Sequence, residues 1–467
     1  MFVNPFHKAV TVLDGRVTVH DESAIASPAM DKLVYAAVFG DADERDDARW
    51  LIWEIGQAVG VRAASIHDLY LARGAGKCGG FTVPAMNIRG MVYDTARSLF
   101  KSAVKLKVGA LIVEIARSEI AYTDQRPAEY VAVMLAAAMR EGFRGPVFIQ
   151  GDHFQVNAKK FAVDPVTELN GVKQLAREAI AAGFYNIDVD TSTLVDLSKP
   201  TLKEQQRTNF EQGVELALTV RELQPEGVTI SIGGEIGEVG TENSTVEELV
   251  TYMDGFNETL MKRAPGTEGL SKISVQSGTT HGGVVLADGS IADVKIDFET
   301  LATLSKVARE RYGLSGAVQH GASTLPDTAF HNFPRTETAE IHLATNFQTM
   351  LYDNISEALR NEIYDWLRQN AKDERKPSDT DEQFFYKTRK KALGPFKKRF
   401  WELPPDVKSR LAKAYEEKFS FLFTQLAVTN TRDVVDRWIK PVDQHKPQPH
   451  PDLAVVEAAP DDADLSD

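Results

Sequence analysis

One cysteine, Cys78, stands in 467 residues, so no intramolecular disulfide can form and the composition fits a reducing, cytoplasmic setting. Cys78 itself sits beside Gly79 and Gly80 and reads as a small residue in a glycine-rich turn rather than a nucleophile. No stretch approaches the roughly 18 consecutive apolar residues that a membrane span requires, so no membrane partner is expected. The opening MFVNPFHKAV has no charged leader ahead of an apolar core, and no secretory signal is read there. Positive charge is also short: 53 Lys and Arg face 67 Asp and Glu, for a formal net charge of −14. Phosphate neutralisation needs a basic face, so a nucleic-acid partner is not expected. The chain shows no internal repeat.

What the chain has is alternation. ERDDARWLIWEIGQAVGV (44–61) carries apolar residues at helical spacing. From residue 81 onward, short apolar runs alternate with amphipathic segments. Strands are predicted at 81–87, 110–116, 146–150, 184–190, 228–235, 272–276, 316–319 and 339–344. Helices are predicted at 92–106, from Pro127, at 168–182, at 203–223 and after the capping segment Ser244-Thr245-Val246-Glu247. Eight β runs alternating with helices predict an α/β fold of the (β/α)8 TIM-barrel type rather than an open doubly wound sheet. The polar residues fit a barrel, because they fall at the C-terminal ends of several different strands. They are Asn87, Asp152, His153, Asp190, Glu235, His281 and His320. An open sheet would gather them at one switch point.

The expected organisation is an N-terminal extension with a helix (1–75), the barrel (76–346), a helical C-terminal region (347–439) and a disordered acidic tail (440–467). Within the C-terminal region, 347–370 reads as one long helix and about 407–427 as another.

His153, His281 and His320 each stand at or just past the end of a strand, on glycine-bearing turns: Gly151-Asp152-His153, Gly278-Thr279-Thr280-His281-Gly282 and His320-Gly321-Ala322-Ser323. Three imidazoles with an open fourth position form a catalytic rather than a structural metal site, most simply for Zn²⁺. Such an ion polarises a carbonyl or activates a water, and its neighbours decide which. Asp152 precedes a ligand directly, so it serves either as general acid/base or as a carboxylate orienting a histidine. Glu235, within Gly234-Glu235-Ile236-Gly237, is an alternative ligand or a base. Gly321 and Ser323 offer backbone amides and a hydroxyl suited to a phosphate.

The segments TVPAMNIR, IQGDHF, NIDVDTS, GGEIGEVG, SGTTHGG and VQHGAST, in that order, resemble the class II, zinc-dependent fructose-bisphosphate aldolase family over about residues 66–395. The resemblance implies that His153, His281 and His320 hold Zn²⁺ and that Asp152 is the acid/base at the cleaved bond. It puts Glu235 and Asp190 near the metal, with a second divalent or monovalent cation as an additional candidate cofactor. Glu242 falls on the loop whose carboxylate removes a proton from dihydroxyacetone phosphate. Gly282, Gly321 and Ser323 match phosphate-holding positions, and Asn87, His342 and Thr345 fall at substrate-facing ones. Arg389, in TRKKALGP, resembles a basic position that reaches a second phosphate, often across a subunit contact, which implies a homo-oligomer, dimer or tetramer. The implied reaction interconverts fructose 1,6-bisphosphate with dihydroxyacetone phosphate and glyceraldehyde 3-phosphate. The metal acts as electron sink, so no Schiff-base lysine is needed.

The chain departs from the family at strand eight, where His342 and Ala344 replace an asparagine and an aspartate, and at Ala116, where a serine is usual and Ser118 is the nearest hydroxyl. Two other readings use the same barrel. One is a non-catalytic subunit like the partner of tagatose-bisphosphate aldolase; intact His153, His281, His320, Asp152 and Glu235 speak against it. The other is a metal-dependent hydrolase, but the amidohydrolase type opens with His-x-His on strand one, where this chain has Asn87.

Overall fold

The computed structural model describes residues 3–237, 242–278, 286, 296–450 and 456–457. Its centre is a closed parallel barrel of eight strands: β1 (Val83–Asn87), β2 (Ile112–Ala116), β3 (Gly145–Gln155), β4 (Asn186–Asp190), β5 (Ser231–Glu235), β6 (Lys272–Val275), β7 (Ala317–Gln319) and β8 (Glu340–Leu343). Neighbours in sequence pair in parallel, and β8 pairs with β1 to close the ring. The connections are α1 (Val92–Lys105), α2 (Pro127–Arg140), α3 (Pro165–Ala182), α4 (Leu202–Leu223), α5 (Val246–Arg263) and α6 (Phe298–Tyr312), with short helical turns after β7 and α7 (Thr345–Asn354) after β8. The predicted alternation and barrel are therefore what the chain forms. Proline stands at the first position of α2 and of α3, where its missing N–H costs nothing. Thr245 caps α5 in a reciprocal box with Glu248, one residue along from the expected start.

β3 is longer than the run 146–150 suggested, and it holds the fold's most informative irregularity. Gly151 pairs with Ile187 and Phe154 with Val189, so Asp152 and His153 together oppose the single residue Asp188. This is a β-bulge, and His153 adopts a left-handed φ of +42° within it. Successive strand residues normally face opposite sides; the extra residue turns both Asp152 and His153 to the lumen. His153 therefore lies inside the strand, not on a turn beyond it.

Three further differences appear. A strand the sequence did not signal, Val61–Ala64, pairs with the first residues of β3. Asn186 ties it to the barrel floor, donating from Nδ2 to Ala64 O and Ile149 O and accepting from Ile66 N. The long helix expected at 347–370 is two, α7 and Glu357–Asn370, because Ser356 caps the second by accepting from Leu359 N. Finally, residues 440–450, expected to have little to pack, lie against the helix Ala42–Val59. The indole N–H groups of Trp50 and Trp53 donate to Lys446 O and Gln444 O, and Lys446 Nζ lies 3.7 Å from the centre of the Trp53 ring. Backbone groups of the segment, which composition does not reveal, make much of this contact, with Lys446 N donating to Glu54 Oε1 and Gln444 N to Gln57 Oε1 as well.

The core is continuous from barrel to outer helices. α2 is buried along almost its whole length, including Val131 through Met139, because the helices Pro28–Phe39 and Ala42–Val59 cover its outer side. The helix Pro405–Gln425 packs back onto α1. Among the described residues no helix is long and apolar enough to cross a membrane.

Candidate active site

Barrel interiors are usually filled by layers of branched apolar side chains. Here the lumen carries polar residues two apart on several strands: Gln150 and Asp152, Asp188 and Asp190, Lys272 and Ser274, Glu340 and His342. In the deeper layer Lys272 Nζ sits 2.6 Å from Glu340 Oε1, 2.9 Å from Asp188 Oδ1 and 2.7 Å from Gln150 Oε1. Gln150 donates to Glu114 and Glu340 at 2.9 Å each, and the Tyr70 hydroxyl donates to Glu340. Gly233 makes room for this network, since a Cβ there would lie 2.3 Å from Asp188 Oδ1 and 2.8 Å from Lys272 Cε.

The upper layer opens into a cavity of about 1220 Å³ at the C-terminal ends of the strands. Three histidine rings stand in a row along its floor. The His153 and His320 ring centres are 4.2 Å apart, and those of His320 and His342 are 4.1 Å apart. Asp152 Oδ1 faces all three: it is 3.7 Å from His153 Nε2, 3.5 Å from His320 Nε2 and 3.2 Å from His342 Nδ1.

Each ligand candidate is held from behind. His153 Nδ1 meets Asp190 Oδ2 at 2.9 Å and Glu235 Oε2 at 3.3 Å. His320 Nδ1 meets Ser274 Oγ at 2.7 Å. Hydrogen bonding at Nδ1 fixes the ring and turns Nε2 to the shared space, the way metal-binding histidines are oriented. Asp152, His153 and His320 bring one ligand atom each to within 4.8 Å of one another. The residues present thus fit a metal ion.

Asp190 joins His153 and Glu235 in a second convergence of ligand atoms, all within 4.8 Å of one another. Its carboxylate also accepts from Gln155 Nε2 at 2.6 Å and from Ser192 Oγ at 2.6 Å. Burial works against its charge, yet the bonds from His153, Ser192 and Gln155 prevail and bring its carboxyl down to about 2. It orients His153. Glu235 is the opposite case: burial, with Asp190 beside it, pushes its carboxyl up to about 7. Burial, with Asp152 next, does the same to Glu114, also to about 7.

The other expected positions divide. Asn87 is buried at the end of β1, donating to Glu119 Oε2 at 2.6 Å and accepting from Arg89 Nε at 3.0 Å, and it lines the cavity. Gly321, with a left-handed φ of +70°, and Ser323 line it too; Ser323 Oγ accepts from Ala344 N at 2.5 Å and so ties β7 to β8. Ala344 and Thr345 are at the wall. Glu242 is exposed and is not among the lining residues. His281 and Gly282 lie outside the described residues.

Arg389 is buried and is not among the residues that line the cavity; its guanidinium is 4.4 Å from the ring centre of Tyr386, which does line it, 5.3 Å from that of Tyr352, and donates to Thr349 Oγ1 at 2.7 Å. Its neighbours Lys387 and Lys390 line the cavity instead. Lys387 pairs with Asp379 at 2.7 Å. Lys390 forms no ion pair among the described residues, and burial, with Arg89 nearby, lowers its pKa. Its ammonium lies 5.8 Å from the centre of the Tyr122 ring.

Sequence reasoning missed Ser274, Glu114, Lys272, Glu340 and Lys390. The one signal was charge inside apolar strand runs: Glu114 in ALIVEIA, Lys272 opening KISVQ and Glu340 opening EIHLA.

A (β/α)8 barrel with histidines and carboxylates converging at its C-terminal mouth defines an enzyme-like, metal-compatible site. The family model for class II fructose-bisphosphate aldolase matches residues 73–399, and the chain belongs to that family, whose members are generally metal-dependent. Comparison with curated proteins by sequence gives no match. Among solved structures, one described as a probable tagatose 6 phosphate kinase from Sinorhizobium meliloti 1021 is similar at 15% identity, covering 76% of this chain and 99% of that one with a TM-score of 0.51. A fructose-bisphosphate aldolase from Campylobacter jejuni gives 16%, 79%, 97% and 0.48, and the YdjI aldolase from Escherichia coli K12 gives 13%, 78%, 98% and 0.47. At these identities the likeness concerns the fold.

Proposed function

We propose that this protein is a metal-dependent aldolase that cleaves and forms a carbon–carbon bond in a ketose bisphosphate, with fructose 1,6-bisphosphate as the leading substrate. The observation that carries this reading is the convergence of His153, His320 and Asp152 on one point of a cavity that also presents Lys390 and the Gly321–Ser323 turn. Zn²⁺ bound by His153 and His320, with His281 as the third ligand, would supply a Lewis acid for the ketone oxygen and the negative charge left when the bond breaks.

The chain's own groups do the rest. Asp190 and Ser274 hold the two imidazoles in register. Asp152 accepts the proton of the hydroxyl at the cleaved bond and returns it in the condensation direction. The Gly321–Ser323 turn takes the phosphate of the triose half through backbone amides. Lys390 takes the phosphate at the other end. His342 and Ala344, where the family has an amide and a carboxylate, alter the wall that faces the substrate hydroxyls.

The test is aldol cleavage by the purified full chain of fructose 1,6-bisphosphate, its tagatose epimer and ketose monophosphates, before and after chelation. Cleavage that disappears with chelator and returns with Zn²⁺ is the expected result. A metal-loaded protein that cleaves none of these ketose phosphates overturns the reading.

A further inference from the structure

Of the three imidazoles in the row, His342 holds no place in the proposed metal pair and stands nearest to Asp152. Asp152 Oδ1 is 3.2 Å from His342 Nδ1, against 3.5 Å from His320 Nε2 and 3.7 Å from His153 Nε2. His342 is only 5% exposed, so it gives the cavity little surface with which to meet a substrate.

The ring is fixed along both edges. Glu340 and His342 stand two residues apart on β8 and so share the lumen face. His342 Nε2 is 2.8 Å from Glu340 Oε1, and that oxygen lies 2.6 Å from Lys272 Nζ. The Tyr70 hydroxyl donates to the other Glu340 oxygen. At the opposite edge, Glu114 Oε2 stands 3.1 Å from His342 Nδ1 and accepts from Gln150 Nε2 at 2.9 Å. A half-turn of the ring would set carbon atoms against these carboxylates, because the two ring nitrogens are not interchangeable with the carbons opposite them. One face of the ring packs on His320, with 4.1 Å between the centres.

Asp152 is arranged to match. Its Oδ1 is sealed from solvent among the imidazoles, which leaves Oδ2 as the oxygen open to the cavity that Asp152 lines. A continuous line of contacts, Lys272 to Glu340 to His342 to Asp152, thus joins the deep polar layer to the carboxylate at the floor of the cavity.

We propose that His342 is a positioning residue for Asp152: anchored by Glu340 and Lys272, it holds Oδ1 so that Oδ2 is aimed at the hydroxyl whose proton it takes. The proposal rests on the reading of Asp152 as the acid/base of the aldol reaction. It adds that His342 acts through Asp152 rather than by touching the substrate. A reacting group misplaced by about 1 Å loses on the order of 10²-fold in rate, so the effect of His342 belongs in kcat.

The test compares His342→Leu, which removes both ring nitrogens, with His342→Asn, whose amide nitrogen falls near the place of Nδ1. In His342→Leu, kcat for aldol cleavage is expected to fall roughly 10²-fold with KM changed by less than about threefold. His342→Asn should recover most of that loss. In an Asp152→Asn background, His342→Leu should lower kcat by less than about threefold more, because residues that act as a unit do not add. A raised KM with unchanged kcat would make His342 a substrate contact and overturn the proposal, as would full additivity in kcat. Loss of the bound ion from folded His342→Leu would place the ring in the metal site and overturn it as well. The contact is also measured without substrate, from urea midpoints of metal-free wild type, His342→Leu, Asp152→Asn and the double variant. Less-than-additive losses are expected. Additive losses overturn the positioning role even if no ketose phosphate is cleaved, whereas absence of cleavage with coupled midpoints counts against the aldolase reading alone.

Discussion

Arg389 and Lys390 are consecutive residues that go opposite ways: Arg389 packs between Tyr352 and Tyr386, while Lys390 reaches the cavity. Their substitutions should therefore separate cleanly. Arg389→Ala is expected to cost on the order of 3 kcal/mol of stability, through lost ring stacking and the bond to Thr349. Lys390→Ala should leave stability within about 0.5 kcal/mol but raise KM for a bisphosphate roughly tenfold or more. Urea unfolding and steady-state kinetics on both variants decide it. A larger KM effect from Arg389→Ala than from Lys390→Ala would reverse the assignment.

Asp152→Asn preserves size but cannot take up the proton. Turnover should fall roughly 10²–10⁴-fold, while ions bound through His153 and His320 remain. Single-turnover assays with parallel metal analysis test this. Wild-type turnover in the variant would reduce Asp152 to a positioning residue.

Lys272 is the buried cation of the lumen. Lys272→Met leaves Glu340 and Asp188 without their partner and should destabilise the fold by about 3–5 kcal/mol. Adding Glu340→Gln removes one of the stranded charges, so the double variant should be more stable than Lys272→Met alone. Denaturant midpoints for the three proteins are the measurement; a double variant weaker than the single one contradicts the pairing.

His67 gives the chain an acid sensitivity away from the cavity. Burial, with the Arg221 charge nearby, lowers its pKa from 6.5 to about 4. A depressed folded value means the stabilisation is fully present above about 6.5 and is lost as pH falls toward and through 4. The loss is on the order of 3 kcal/mol across that window. His67→Asn should flatten this part of the stability–pH curve, measured by urea unfolding at pH 7, 5.5 and 4. An unchanged slope would mean His67 is not the group responsible.

The barrel was legible because each strand run sits between helices with clear start signals, such as Pro127 for α2 and Thr245 for α5. The strand Val61–Ala64 was not: four residues, one of them arginine, carry too little periodicity to stand out. His153, Asp152 and His320 were legible from residue type and position at strand ends. Ser274, Glu114 and Glu340 were not, because their roles exist only through partners on other strands. The difference between Arg389 and Lys390 is one step along a short helical turn, finer than pattern alone resolves.

The bulge at Asp152 and His153 makes the site depend on parity. In a strand with strict alternation, even and odd positions are two separate populations, and neighbours can never share a face. One supernumerary residue merges them locally. Deleting either Asp152 or His153 would restore alternation and leave a single lumen-facing side chain where the bulge now presents two. The chemistry at this position is thus written in the length of a segment as much as in its letters, and a comparison that tracks residue identity but ignores single-residue gaps would misjudge it.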